Sequence, residues 1–172
     1  MKKLILSLLM IYLFSNPTEV SADSYVVTTS AEFEKYSFEE FYYPRIIKLE
    51  KYLKKHNSPL SEYANVLIWY ADEQDLDWRL IPAISGVEST FGKRIPKNSY
   101  NAYGWANGNY AFNSWDDSIG IVAKTLREKY YDKGADDINK IARRYAPPSD
   151  TWAWKVKFFM NEIDSVPVEF DL

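Results

Sequence analysis

The chain contains no cysteine and a single histidine, His56. Disulfides and thiol nucleophiles are thereby excluded, no His-based triad or His-rich metal site is suggested, and His56 reads as a cap at the end of a helix. Long apolar runs are equally scarce. The one candidate, Leu4 to Phe14, follows Lys2 and Lys3 and precedes Val20-Ser21-Ala22. At about 11 residues it is too short to span a bilayer and reads as a secretory signal cleaved after Ala22. With no Cys at that junction, a lipid anchor is not expected. There is no Gly-rich phosphate loop and no Gly-x-Ser-x-Gly elbow, and Asp72, Asp75 and Asp77 lack the spacing of a calcium loop. No cofactor is expected.

Charge of one sign is also missing: the formal net charge is −3. Such a balance offers no basic footprint for nucleic acid and no polybasic patch for an anionic surface. Aromatic residues, in contrast, make up 17% of the chain, with 14 Tyr and 6 Trp, many outside periodic segments. Aromatics in loops are amphipathic platforms whose faces suit the C–H faces of sugar rings, although aromatics also fill cores.

No alternating run is long enough to demand a sheet, so the expected class is mainly α. Residues 1–22 form the expected signal, 23–43 an extension, and 44–172 one domain. Helices are expected after Pro44 (Ile46, Ile47, Leu49, Tyr52, Leu53), from Ser61 to Gln74, and across Leu80 to Phe91, with Asp77 as a cap. The Ser114-Trp115-Asp116-Asp117 capping box opens the next, which Gly134 stops. Two shorter helices are expected, from Asp137 to Tyr145 and after Pro148-Ser149-Asp150. Lys93 to Asn113 is read as a long aromatic loop in which a small hairpin is left open, and Val166 to Phe170 as an edge strand or tail. A structured loop of this length in a small domain usually carries function.

Glu88 is the oddity. At about 100° per residue, Leu80, Ile81, Ile84, Val87 and Phe91 share a helix face, and Glu88 falls between Ile81 and Ile84 on that face. It also lies in the last turn before Gly92, where the helix dipole disfavours a negative charge. Both effects raise the carboxyl pKa, as a general acid working near neutral pH requires. The alternative is a structural carboxylate at the stripe's edge, paired with Arg79 or Lys93.

A helix ending Glu88-Ser89-Thr90-Phe91-Gly92, followed by Asn101-Ala102-Tyr103-Gly104-Trp105, resembles the bacterial cell-wall N-acetylglucosaminidases of the lysozyme-like superfamily. Two further blocks agree in order: Phe112 to Ile119, and Tyr145-Ala146 before a Pro and Asp stretch and an aromatic helix. The resemblance spans Ser61 to Ile163. Two departures stand out: Tyr145-Ala146-Pro147-Pro148-Ser149-Asp150 replaces the usual Tyr-Ala-Thr-Asp, and the Gly-Leu-Met-Gln of lytic transglycosylases is replaced by Tyr103-Gly104-Trp105.

The resemblance implies a lysozyme-like α lobe whose aromatic loop forms a substrate cleft, and a secreted monomer that cuts β-1,4 linkages of peptidoglycan glycan strands. Glu88 is the implied general acid and Tyr145 a second catalytic group. Ser89, Asn101, Tyr103, Gly104, Trp105, Tyr110 and Asp150 are the implied substrate-binding residues. Asp116 and Asp117 sit in a first helical turn, where capping explains them without catalysis. A substrate acetamido oxygen can serve as nucleophile, so one Glu is chemically sufficient. Two other outcomes stay open, a lytic transglycosylase and a silent glycan-binding module.

Overall fold

Pro44, fixed in φ and lacking an N–H, stands in the first turn of α1 (Tyr43–Lys55), where neither property is a defect. The computed structural model describes residues 42–168, which lie within one of two compact units of the chain, residues 35–172. The expected signal sequence and nearly all of the expected extension lie outside the described residues. Helix α1 buries Leu49, Tyr52 and Leu53 and ends at His56, whose N–H reaches the Leu53 carbonyl at 3.1 Å.

The expected helix from Ser61 divides in two, a 3₁₀ turn (Pro59–Tyr63) and then α2 (Ala64–Glu73). Ser58 rather than Ser61 is the cap, because its Oγ accepts the Leu60 N–H at 3.0 Å while donating to the Phe91 carbonyl at 2.8 Å. Helix α2 buries Ala64, Leu67, Ile68 and Ala71, the stripe that the periodicity marks.

Helix α3 (Leu80–Ser89) is buried almost all round, with Leu80, Ile81, Ala83, Ile84 and Gly86 inaccessible or nearly so. It packs most extensively against α6 (Trp152–Asp164), and also against α2 and α4 (Trp115–Thr125). Burial of each large aliphatic side chain on such a helix stabilises the fold by about 1.5–3 kcal/mol. The Asp77 carboxylate accepts the Arg79 N–H at 2.9 Å at the start of α3, the capping role read from the sequence.

Gly92 is not the residue that stops α3. The chain turns left-handed two residues sooner, with Thr90 at φ 55°, Phe91 at φ 58° and Gly92 at φ 79°. The turn is closed by the Phe91 N–H on the Ser85 carbonyl at 3.0 Å. It folds the Phe91 ring back beneath its own helix, among His56, Tyr52 and Phe159 at centroid distances of 4.7, 5.6 and 5.0 Å. Burial of a large aromatic offsets the strain of two non-Gly residues in the left-handed region.

Ser114 caps α4 as expected: its Oγ accepts the Asp117 N–H at 3.0 Å, and Asp117 in return accepts the Asn113 N–H at 3.0 Å. The helix then widens into a π turn (Leu126–Tyr130) and a 3₁₀ turn (Tyr131–Lys133) before stopping at Gly134, φ 78°. Asp137 caps α5 (Ile138–Tyr145) through the Asn139 and Lys140 N–H groups. For α6 the cap is Ser149, whose Oγ accepts the Trp152 N–H at 3.1 Å.

The described residues form a mainly helical domain with no strand. A hairpin within 93–113 is ruled out by the backbone, since Asn98, Tyr100, Gly104, Ala106, Asn107 and Gly108 all have positive φ. Residues 166–168 are irregular, and 169–170 lie outside the described residues.

A Cβ at Gly86 would lie 2.6 Å from Phe91 Cε1 and 3.0 Å from Phe159 Cδ2. Gly86→Ala is therefore expected to lose about 1–3 kcal/mol in urea unfolding, although alanine is the better helix former.

Candidate active site

Glu88 occupies the last turn of α3, half-buried, with Oε1 accepting the Trp152 indole N–H at 2.7 Å. Among the described residues no cation pairs with it. Arg79 is engaged by Asp77 and Asp164 instead, the second contact at 3.3 Å. Burial raises the Glu88 pKa, and the Trp152 hydrogen bond, which favours the charged form, partly opposes that rise. Among the described residues no second carboxylate contributes to the shift.

Around this carboxyl the contacts close a ring. The Trp152 indole stacks on Tyr145 at 5.0 Å and 27°, and the Tyr145 hydroxyl donates to the Tyr103 carbonyl at 2.5 Å. Next in sequence, Gly104 returns the chain to Glu88: a Cβ there would lie 2.8 Å from Oε2, and φ is +67°. Close approach and left-handed backbone together require glycine at this position.

Asn101 holds the loop that carries Gly104. Its Oδ1 accepts the Trp105 N–H at 2.9 Å, while Nδ2 donates to the carbonyls of Trp105 and Tyr110 at 2.9 and 3.0 Å. Ser89 anchors the same loop to α3, because its buried Oγ reaches the carbonyls of Ser85 and Ala102 at 3.0 and 2.8 Å and accepts the Gly92 N–H at 2.8 Å. Asn101 and Ser89, expected on the ligand side, are thus buried scaffolding.

Tyr103 departs furthest from expectation. Its ring is fully buried in the core, and its hydroxyl is a buried polar atom without a hydrogen-bond partner, lying by Ser118 but out of bonding geometry. Burial pushes its pKa well up. No sugar reaches it in this conformation. The Tyr145 hydroxyl, expected to orient a sugar or water, has its proton committed to the Tyr103 carbonyl. Burial and then the nearby Glu88 charge hold its pKa well above the ordinary phenol value, so it remains a donor.

Beside Gly104 and Tyr145 opens a cleft of about 400 Å³, lined also by Trp105, Leu126, Lys129 and Tyr130. Its lining includes irregular backbone, the left-handed residues Ala106 (φ 51°) and Asn107 (φ 55°) and residues of the π turn. Strained backbone and π turns both concentrate at functional sites. Trp105 and Tyr110 rest edge-on against Phe112, at 5.8 and 4.8 Å, with Tyr110 largely exposed.

The remaining acids stand apart from this arrangement. Asp117 is a helix cap, Asp116 accepts a 3.5 Å contact from Tyr70, and Asp150 is exposed, with no hydrogen bond or ion pair among the described residues. Among the described residues no cluster of acidic and His side chains is arranged to hold a metal ion, and no helix is long and apolar enough to cross a membrane. Trp152, Lys129 and Tyr130 are site residues that the sequence did not reveal. Periodicity places Trp152 in the core stripe of α6, and an indole that packs and donates at once carries no separate signal.

A carboxyl whose folded pKa exceeds its unfolded value binds more protons folded than unfolded, so its contribution to stability falls as pH rises between the two. Glu88→Gln is accordingly expected to raise Tm at pH 7 relative to wild type and to leave it unchanged below pH 4, in paired thermal melts. No protein-family model matches the chain, and no curated protein matches its sequence.

Proposed function

We propose that this protein is a secreted glycoside hydrolase of lysozyme-like fold that cleaves β-1,4 linkages in peptidoglycan glycan strands, with the action of an endo-N-acetylglucosaminidase. The observation that carries the reading is Glu88: a half-buried carboxyl with a raised pKa, paired with no cation among the described residues, held by one indole N–H and set against Gly104, which itself lines an aromatic cleft. A group that keeps its proton to higher pH than an ordinary carboxyl can deliver it to a glycosidic oxygen as the bond breaks.

Trp105 and Tyr110 offer flat apolar faces for sugar rings, and Lys129 offers a cation for the carboxylates that peptidoglycan carries. The oxocarbenium-like centre needs a nucleophile, and among the described residues no carboxylate acts on Glu88 from nearby. The 2-acetamido oxygen of the substrate fills that role in substrate-assisted hydrolysis. The same lone carboxyl supports a second reading, a lytic transglycosylase in which Glu88 acts as acid and then as base and the muramyl 6-hydroxyl replaces water.

Purified peptidoglycan incubated with the wild-type protein is expected to release soluble fragments, and Glu88→Gln to lose at least 100-fold in rate with an unchanged helical circular dichroism spectrum. Mass spectrometry separates the two reactions: hydrolysis leaves reducing ends, whereas transglycosylation leaves anhydro ends lighter by one water. Retained activity in the Gln variant contradicts both.

A further inference from the structure

Glu88 offers two oxygens in different surroundings. Oε1 receives the Trp152 N–H at 2.7 Å, and Oε2 faces the bare α-carbon of Gly104. An indole N–H is only ever a donor, and a neutral carboxyl has one O–H and one acceptor oxygen. We infer that Trp152 is a positioning residue that reserves Oε1 as the acceptor, so that the Glu88 proton resides on Oε2 and leaves over Gly104 into the cleft. The inference rests on the reading of Glu88 as a general acid.

Three features of the geometry converge on it. Gly104 lines the cleft, and a Cβ at this residue would stand 2.8 Å from Oε2, across the path of the proton. The indole plane is set by stacking on Tyr145, whose hydroxyl is tied to the carbonyl of Tyr103, the residue preceding Gly104. One strut therefore fixes both the donor to Oε1 and the glycine that stands against Oε2. Once the proton has gone, the N–H bond to Oε1 becomes charge-assisted and strengthens, stabilising the carboxylate that must then form in a half-buried place. Without that donor, burial would hold Glu88 neutral over a wider pH range, and it would give up its proton less readily.

The test reads the indole directly. In ¹⁵N-labelled protein, the Trp152 indole N–H resonance, assigned by its loss in Trp152→Phe, is expected to move with pH in one step that follows ionisation of Glu88, and to become pH-independent in Glu88→Gln. Replacement of Trp152 by 3-benzothienylalanine, which puts sulfur where the N–H was at nearly constant shape, is expected to move the basic limb of the pH–rate profile to higher pH. Gly104→Ala should retain the indole titration and lose about 100-fold in cleavage rate, since the acid oxygen is covered. If Gly104→Ala fails to fold, the sulfur analogue decides alone. An indole resonance unmoved across the Glu88 titration, or an unmoved basic limb in the sulfur analogue, overturns the assignment. A titrating indole in a wild-type protein that releases no sugar leaves the Trp152–Glu88 pairing standing and defeats the hydrolase reading instead, so the two failures are distinguishable.

Discussion

Glu88 and Trp152 stand 64 residues apart in sequence and meet through a 2.7 Å hydrogen bond from indole to carboxyl. A carboxyl in the last turn of a nearly all-buried helix has little water to solvate its charge and lies at the unfavourable end of the helix dipole. A cation would restore the charged form outright and fix an inert ion pair. A single neutral donor does less: it orients the group and moderates the effect of burial without removing it. That intermediate degree of support leaves Glu88 able both to hold a proton and to release it.

The surrounding structure serves to bring these two side chains together and to keep a glycine against them. Helices α3 and α6 make the most extensive helix pair in the domain, and Trp152 stands at the first position of α6. The left-handed turn Thr90-Phe91-Gly92 redirects the chain at the end of α3, and the buried Phe91 ring locks that turn beneath Gly86. From there the loop to Asn113 is organised by side chains rather than by a sheet, with Asn101 and Ser89 providing its internal bonds. Strain at Ala106 and Asn107 is carried by this bonding, and both line the same cleft as residues of the π turn.

Much of the helical framework was legible because it follows local rules. Apolar spacing located α2 and the buried Leu80, Ile81 and Ile84 of α3, and the Ser114 signal marked the start of α4, where Ser114 accepts the Asp117 N–H and Asp117 the Asn113 N–H. The charge on an apolar face marked Glu88 before any partner was known. Elsewhere local rules compete. Thr90 ends α3 ahead of the glycine because packing of the Phe91 ring outweighs the backbone preference, a tertiary effect invisible at the turn itself. Tyr103 and Asn101 lie in a segment rich in polar and aromatic residues that reads as surface, yet their side chains are buried and organise the loop from within. Trp152 was hidden for the opposite reason: it belongs to a regular apolar stripe and also bonds a residue on another helix.

The claim on which the rest depends is that Glu88 titrates above an ordinary carboxyl. Site-resolved ¹³C NMR of its side-chain carboxyl across pH measures this without substrate. A midpoint above the ordinary value of 4.5 is expected. A midpoint at or below that value would mean a well-solvated or ion-paired carboxylate, and would contradict the assignment of Glu88 as an acid.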